Sequence, residues 1–314
     1  MASELSSQND GVDRRGFLEC MAWAGSGLLW TVSGGLPAAR AFGQDAKRAG
    51  SNEFSFVQIS DSHIGFGKEP NKDVVGTLEA AVAKINALPQ PPAFVLHTGD
   101  LTHLAKPEEF DTVAEVLKGL KAQVLYVPGE HDFDGDDNKL YRERHGKGTL
   151  GAGWYSFDYK GAHFVGLVNV ANAKSGSMAG LGQLGKEQLQ WLAKDLAGVT
   201  DKPVVVFAHV PLWAVYEKWG WGTQDAEQAL ALLKRFGSVT VLNGHIHQVM
   251  QKVEGKVIFH TARSTAFPQS EPGKGTPGPI RDIPAERLHG VLGLTTVGYV
   301  ENGGPLAIAD STLG

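Results

Sequence analysis

The amino-acid sequence predicts an α/β domain built on mixed β-sheets. Short apolar runs typical of buried strands alternate with longer segments whose apolar residues recur at helical spacing. Two of the runs are joined by a short Lys-Gly link, which predicts an antiparallel hairpin. Alternating strands and helices favour parallel pairing, and the added hairpin indicates sheets of mixed direction.

Each of five strand-like runs is followed within three residues by a histidine or an acidic residue. Each run has the length and the β-branched or aromatic content of a buried strand closed by a turn. A sheet would therefore gather these polar residues along one edge. The runs span residues 54–60, 93–98, 124–127, 204–208 and 238–242.

Four segments have the apolar periodicity of amphipathic helices, residues 74–88, 107–120, 184–196 and 226–236. The second opens with Pro107 and two glutamates, which are favourable at a helix N-terminus.

The predicted hairpin joins residues 154–158 to 162–168, and further strands are expected at 256–261, 295–300 and 305–309. Residues 211–222, rich in Trp and Tyr, and 268–284, rich in Pro and Gly, are expected to be loops.

The first residues resemble a twin-arginine export signal. Arg14 and Arg15 precede an apolar pair, residues 21–36 are apolar but short for a membrane span, and residues 39–41 offer a small-residue cleavage site. We expect residues 1–41 to be a signal peptide, 42–53 a linker and 54–314 one domain. A retained signal-anchor is the alternative.

This interpretation predicts a periplasmic or secreted protein that engages the twin-arginine export machinery and keeps no stable membrane span after cleavage. Cleavage would remove Cys20, the only cysteine, so the mature chain could form no disulfide. The full chain has 314 residues and a net charge of −5, which argues against a nucleic-acid-binding surface.

The clusters at the strand ends carry the chemistry. Imidazole together with carboxylate oxygen is the ligand set of zinc, manganese or iron. The ligands are too many for one tetrahedral ion, so two metal ions sharing a carboxylate are expected. The clusters are Asp61-Ser62-His63, Gly99-Asp100, Gly129-Glu130-His131-Asp132, His209 and Gly244-His245-Ile246-His247.

In this order the clusters resemble the signature of the calcineurin-like metallophosphoesterase superfamily, which reads DxH, GD, GNH followed by Asp or Glu, then His, then GHxH. The resemblance spans residues 54–261, most of the chain. It implies a catalytic domain with the four-layer αββα fold, two mixed β-sheets in a sandwich flanked by helices.

The resemblance also implies roles. One ion would be held by Asp61, His63 and His247, and the second by position 130 with His209 and His245. Asp100 would bridge the two ions.

Such a pair would supply an activated hydroxide for attack on the phosphorus of a small phosphate ester. His131 would be the general acid for the leaving group, and Asp132 would orient its ring. A phosphodiester is favoured as substrate, with nucleotides among the candidates.

Position 130 departs from the pattern, because the superfamily has Asn where this chain has Glu130. The added negative charge could favour a trivalent ion, weaken substrate binding, or push the carboxylate out of the ligand set. The rival hypothesis follows from this, namely a metal- or ligand-binding protein on the same scaffold with weakened or lost catalysis.

Two more residues are candidates for substrate contacts. His103 follows Asp100 by three positions, which suits a place behind a ligand or facing the substrate. Trp213 lies in the aromatic loop and could stack on a base or sugar. His97, His163 and His260 are expected to be structural.

Overall fold

The computed structural model describes residues 28–33, 36–41, 53–134, 138–174, 177–178, 180–300 and 305–314. The chain divides into two compact units, Met1–Lys47 and Arg48–Gly314. In the first unit, strands β1 (Leu28–Ser33) and β2 (Leu36–Ala41) pair as an antiparallel hairpin. The rest of the predicted signal and linker lies outside the described residues. Among those that are described, no helix has the length and apolar character needed to cross a bilayer.

The second unit contains the remaining elements. Its strands are β3 (Phe54–Ile59), β4 (Val95–His97), β5 (Val124–Tyr126), β6 (Tyr155–Tyr159), β7 (Ala162–Gly166), β8 (Ala173–Lys174), β9 (Ser177–Met178), β10 (Val204–Phe207), β11 (Val239–Asn243), β12 (Gln251–Glu254), β13 (Val257–Thr261), β14 (Gly293–Tyr299) and β15 (Ala307–Thr312). Its helices are α1 (Val74–Asn86), α2 (Pro107–Leu117), α3 (Lys139–His145), α4 (Lys186–Ala197), α5 (Ala226–Leu233) and α6 (Ala285–Leu288). Short 3₁₀ turns occur at Glu130–Asp132 and Glu217–Trp219.

The strands form two large mixed sheets. One has the order β15-β14-β3-β4-β5, with β3, β4 and β5 parallel and with β14 antiparallel to both β3 and β15. The other has the order β12-β13-β11-β10-β7-β6, in which β7, β10, β11 and β13 are parallel and the two edge strands are antiparallel. The predicted hairpin is the β6–β7 pair. The predicted mixed sheets are therefore confirmed.

The sheets face each other across an aromatic core. Phe56 of β3 and Phe164 of β7 are fully buried, and their ring centroids lie 5.4 Å apart in an edge-to-face arrangement. Phe207 of β10 and Val297 of β14 belong to the same cluster. Each such buried side chain contributes about 1.5–3 kcal/mol to folding. This cluster forms the inner layer of the sandwich.

Alternation along the strands places the next residues on the outer faces, where helices cover them. Val57 and Ile59 of β3 pack in one cluster with Leu78 of α1 and Phe110 of α2. In the other sheet, Val204 and Val206 of β10 pack in one cluster with residues of α4 and α5, including Leu192, Leu196, Ala229 and Leu233. The arrangement has helices outside and two sheets inside, so the predicted αββα fold is confirmed.

The five clusters follow β3, β4, β5, β10 and β11. Within each sheet these strands run parallel, so their carboxyl ends share one edge. The prediction that the strands deliver the imidazoles and carboxylates to one place is confirmed, since their ligand atoms lie within 4.8 Å of one another in overlapping groups.

Candidate metal centre

The turns that carry the clusters have an unusual backbone. Asp61, His63, Asp100, His245 and His247 all have positive φ, between 41° and 68°. Non-glycine residues rarely adopt this left-handed conformation, and it concentrates at functional sites where the surrounding structure enforces it. The strained turns aim these side chains into one buried volume.

Glycines allow the turns to approach one another. A Cβ atom at Gly129 would collide with the Asp100 carboxylate, and one at Gly244 would collide with Ser60 and Asp61. The glycines of the GD, GEHD and GHIH clusters are therefore needed for close packing of ligand-bearing turns.

The first ligand group, called here the His63 group, consists of Asp61, His63 and His247. All three are at most 2% exposed. His247 Nε2 lies 3.2 Å from Asp61 Oδ1 and 3.2 Å from His63 Nε2. This is the set that the resemblance assigns to one ion.

The second, called the Glu130 group, consists of Glu130, His209 and His245. His209 Nε2 lies 3.0 Å from Glu130 Oε2, and His245 Nδ1 lies 3.0 Å from Glu130 Oε1. Both carboxylate oxygens thus face imidazole nitrogens. Neither Glu130 Oε2 nor the ring nitrogens in these two pairs make a hydrogen bond.

Asp100 lies between the two groups. Its Oδ2 is 3.5 Å from His63 Nε2 and 3.3 Å from His209 Nε2. Its Oδ1 accepts a hydrogen bond from the backbone N–H of His131 at 2.9 Å. One carboxylate oxygen is thereby anchored and the other faces a ligand histidine of each group, which suits a bridging ligand.

Hydrogen bonds on the far side of the rings show whether these side chains suit a cation. His209 Nδ1 lies 2.7 Å from the carbonyl of Thr98, and His247 Nδ1 lies 2.6 Å from the carbonyl of Phe267. A carbonyl only accepts, so each Nδ1 carries the proton and each Nε2 of a neutral ring has a lone pair. Each of these two Nε2 atoms lies within 3.3 Å of a carboxylate oxygen, which is also an acceptor. Acceptors that face one another in a buried site fit a bound cation.

The electrostatics agree. Burial alone would raise the pKa of Asp61, but His247 and His209 outweigh it and lower the pKa to about 2. Burial opposes ionisation of Glu130 too, yet His245 and His209 hold its pKa well below the usual value. The pKa of His209 is raised, because Asp100 and Glu130 outweigh burial. Burial and the neighbouring imidazoles His131, His247 and His103 lower the pKa of His63.

His131 lies beside both groups and is half-buried. Its Nδ1 donates to the backbone carbonyl of His103 at 2.8 Å, and its ring meets that of His63 edge-to-face at 4.7 Å. Burial would lower the pKa of His131, but Asp100 and Glu130 raise it above the usual value. With Nδ1 engaged, Nε2 is the position from which a proton can be transferred.

The role expected for Asp132 needs correction. Its carboxylate accepts hydrogen bonds from the backbone N–H groups of Leu101, Thr102 and Gly129 and from the Thr102 hydroxyl. It therefore fastens the turn after β4 to the turn after β5, and the His103 carbonyl orients the His131 ring instead. Burial and the nearby Asp100 raise the pKa of Asp132 to about 7.

His103 lies behind a ligand, one of the two places expected for it. Its Nδ1 is 3.4 Å from His63 Nδ1, and its ring stacks on His131 at a centroid distance of 4.8 Å. The Glu109 carboxylate accepts from the backbone N–H groups of His103 and Leu104, which fixes this loop. Burial and His131 lower the pKa of His103 to about 4.

Trp213 is placed differently from the other candidates. Its ring is half-buried and lies 5.2 Å from that of Phe259, against the core between the second sheet and its helices. The contacts of Trp213 thus explain its presence as packing, and its stacking on a substrate stays a prediction.

The three histidines expected to be structural have partners that are not themselves candidate ligands. His163 contacts Asp158 and Asp195 at 2.9 Å each, and His260 contacts Asp310 at 3.0 Å. His97 Nε2 lies 3.0 Å from the Ser62 hydroxyl.

One part of the site was not predicted from the sequence. The segment 264–269, called here the brace, follows β13 and contacts the ligands from outside. Ser264 Oγ donates to the carbonyl of Asp61, and Gln269 Nε2 donates to that of His245. Phe267 packs its ring against His63 at 4.8 Å and His247 at 4.7 Å. The residue types of the brace are not those of metal ligands, so the sequence did not indicate its role. Its last two residues belong to the predicted Pro- and Gly-rich loop.

Residues 54–249 match the model of the calcineurin-like phosphoesterase family. A probable glycerophosphodiester phosphodiesterase of Arcobacter nitrofigilis is 31% identical over 226 residues, which cover 66% of this chain and 77% of that protein. A 3',5'-cyclic-nucleotide phosphodiesterase of Nostoc sp. is 25% identical and covers 68% of this chain and 79% of its own length.

Solved structures share the fold. A dimetal phosphatase from Danio rerio superposes with a TM-score of 0.58 at 15% identity, covering 83% of this chain and 99% of that one. A purple acid phosphatase from Lupinus luteus seeds gives a TM-score of 0.61 at 14% identity, covering 83% of this chain and 52% of that one.

Proposed function

This chain belongs to the calcineurin-like phosphoesterase family, and from that premise we propose that it hydrolyses small phosphodiesters at a centre of two metal ions. It is a metal-dependent phosphoric ester hydrolase. The choice of diesters draws on relatives named as glycerophosphodiester and cyclic-nucleotide phosphodiesterases. Nucleotide diesters are among the proposed substrates.

The position of Asp100 carries the proposal of two ions. Its free oxygen lies between a histidine of the His63 group and a histidine of the Glu130 group. In this arrangement Asp61, His63 and His247 would hold one ion, and Glu130, His209 and His245 the other. Two such ions, when bound, lower the pKa of a water toward neutrality and offset the charge of the phosphate.

His131 would donate the proton that the leaving alkoxide needs. Its Nδ1 is held by the His103 carbonyl, and the carboxylates around it favour the protonated ring. Glu109 and Asp132 hold the two turns that set this geometry by accepting hydrogen bonds from their backbone N–H groups. General acids placed in this way contribute about 10²–10⁴-fold to rate.

The test loads the purified full chain with Mn²⁺, Zn²⁺ or iron, counts bound metal by mass spectrometry and assays bis- and mono-nitrophenyl phosphate. We expect two ions per chain and faster turnover of the diester. Asp100→Asn should lose both metal and activity, and Glu115→Gln, an exposed exchange on α2, should lose neither.

Two bound ions with no turnover of either ester would favour the rival, a metal-binding protein on the same scaffold. The observation that favours this alternative is Glu130, which stands where the superfamily has Asn. A Glu130→Asn variant that gains a large rate would identify the glutamate as its cause.

We further propose that the chain is exported to the periplasm or beyond through a twin-arginine signal. Fractionation of bacteria that express the full chain should place it outside the cytoplasm, with a mature N-terminus after Ala41. Replacing Arg14 and Arg15 by Lys together should retain it inside. Unchanged fractionation of that double variant would contradict export by this route.

A further inference from the structure

Glu130 lies inside the second ligand group. Its side chain is 10% exposed, and its two carboxylate oxygens each lie 3.0 Å from a different imidazole nitrogen. Of the three outcomes considered for the exchange from Asn, displacement of the carboxylate out of the group is thus inconsistent with the geometry.

The backbone around Glu130 leaves its side chain to make the contact. The Gly129 N–H donates to Asp132, and the His131 N–H donates to Asp100. Both neighbours are therefore anchored to other carboxylates. Glu130 Oε2 itself makes no hydrogen bond, and the groups that face the carboxylate are the imidazoles of His209 and His245. A buried anion of this kind requires a compensating positive charge.

Formal charge indicates which cation would compensate it. Asp61, Asp100 and Glu130 bring three negative charges to the two groups, where an amide at position 130 would leave two. Ligand histidines are neutral. Two divalent ions would leave a net charge of plus one. With an amide at position 130, two divalent ions and two carboxylates have a net charge of plus two. With Glu130, one trivalent and one divalent ion are needed to reach the same net charge.

We propose that Glu130 makes its ligand group selective for a trivalent cation of the ferric class, paired with a divalent ion in the His63 group. The inference rests on the proposed two-ion centre. The attraction of the group for a cation grows with the product of the charges, so the added carboxylate acts most strongly on a trivalent ion. The carboxylate is also a hard oxygen ligand, which suits such an ion better than an amide does.

The experiment uses Ga³⁺, a trivalent ion without redox chemistry, in competition with Zn²⁺. The metal-free full chain is dialysed against both ions in a citrate buffer, desalted and analysed by mass spectrometry for each metal. Thermal unfolding is recorded with each ion alone and with both, because an ion that binds the folded state raises the midpoint. Neither measurement depends on turnover.

The variants are Glu130→Gln, which removes only the charge, and Glu130→Asn, which restores the amide of the family pattern. Glu115→Gln removes a charge from an exposed site on α2 and is the matched control. Circular dichroism checks that each variant is folded, and the two exchanges at position 130 differ in length, so a packing defect in one does not decide the result.

We expect the wild type and the control to retain one gallium and one zinc per chain. Both position-130 variants should retain two zinc ions, with gallium affinity lowered by about 10–100-fold, the range seen when support for a metal site is lost. Two zinc ions in every protein, or equal gallium in all of them, would overturn the inference and leave the two-ion centre standing. No retained metal in the wild type would instead refute the centre itself.

Discussion

The His63 group and the Glu130 group differ in how the rest of the protein holds their side chains. In the His63 group, the Asp61 carboxylate accepts from the His245 N–H, His247 donates to the Phe267 carbonyl, and both rings pack on Phe267. In the Glu130 group, His209 Nδ1 donates to the Thr98 carbonyl, but Glu130 Oε2, His209 Nε2 and both ring nitrogens of His245 are buried without a hydrogen-bond partner.

The two groups differ in what stabilises the positions of their side chains. Protein contacts preorganise the His63 group. The Glu130 group holds buried polar atoms whose desolvation is unfavourable unless a cation compensates it. We therefore expect bound metal to contribute more to the order of the Glu130 group than to that of the His63 group.

The largest effect is expected at His131, which lies beside both groups. His131→Ala should lower kcat for an alkyl diester by about 10²–10⁴-fold, because the leaving alkoxide loses its proton donor. The loss should be smaller for a nitrophenyl ester, whose leaving group needs less protonation. Steady-state kinetics with metal analysis test this. A fall in bound metal would instead show that His131 helps to hold an ion, in addition to the His63 and Glu130 groups.

Chelation should give the next largest effect. An ion present at 100 times its dissociation constant stabilises the fold by about 2.7 kcal/mol, so its removal should lower the unfolding midpoint. Hydrogen exchange after chelation should accelerate most in residues 129–132 and 243–245. Residues 61–64 and the brace should stay more protected, and equal acceleration in both regions would contradict the difference between the groups.

Alanine exchanges in the metal-free protein compare how much each group contributes to the free energy of unfolding. His247→Ala removes a ring packed on Phe267 and leaves the Phe267 carbonyl unpaired, so a loss of about 2–3 kcal/mol is expected. His245→Ala removes ring nitrogens that make no hydrogen bond, so the loss should be about 1 kcal/mol or less. Urea unfolding with chelator measures both. Equal losses would show that the His63 group is no better held.

The smallest effect concerns His163, a histidine whose partners are supplied entirely by the protein. Burial would lower the pKa of His163, but its hydrogen bonds to Asp195 and Asp158 raise the pKa above 6.5. Burial would raise the pKa of Asp195, but His163 and Ser156 lower it below 3.8. The stabilisation from His163 is present below pH 6.5 and is lost as the pH rises through its folded value. That from Asp195 is present above pH 3.8 and is lost at lower pH.

His163→Asn should therefore destabilise the chelated protein most at about pH 5, by about 1 kcal/mol or less, and least at about pH 8.5. Urea unfolding at both values measures the difference. A penalty that is independent of pH would show that the contacts of His163 are not ionic.

Elements with a strong apolar pattern were predictable, and elements without one were not. The run at β3 was recognised because Phe56, Val57 and Ile59 face two buried layers. Strand β12 has four exposed residues, and α3 buries Tyr141 alone. Their periodicity carries little signal because neighbouring strands and turns place them, not their own hydrophobicity.

Which residues gather in the candidate centre was predictable from residue type and position after a strand, but the groups that support them were not. The His103 and Phe267 carbonyls that orient His131 and His247 are backbone atoms, which any residue supplies. Asp132 was expected to act on an imidazole and instead binds backbone N–H groups. Partners of this kind depend on how distant turns pack, which residue types do not encode.

The left-handed turns restrict which amino acids this centre can evolve through. Aspartate, asparagine and histidine tolerate positive φ better than other side chains, and they are also metal ligands. At Asp61, His63, Asp100, His245 and His247 the backbone thus limits the available replacements to much the same set as the metal does. Glu130 opens a right-handed 3₁₀ turn, where the main chain imposes no such filter. Position 130 is therefore the point at which a lineage can exchange a candidate ligand without rebuilding a turn, and a natural starting position for directed evolution of metal preference.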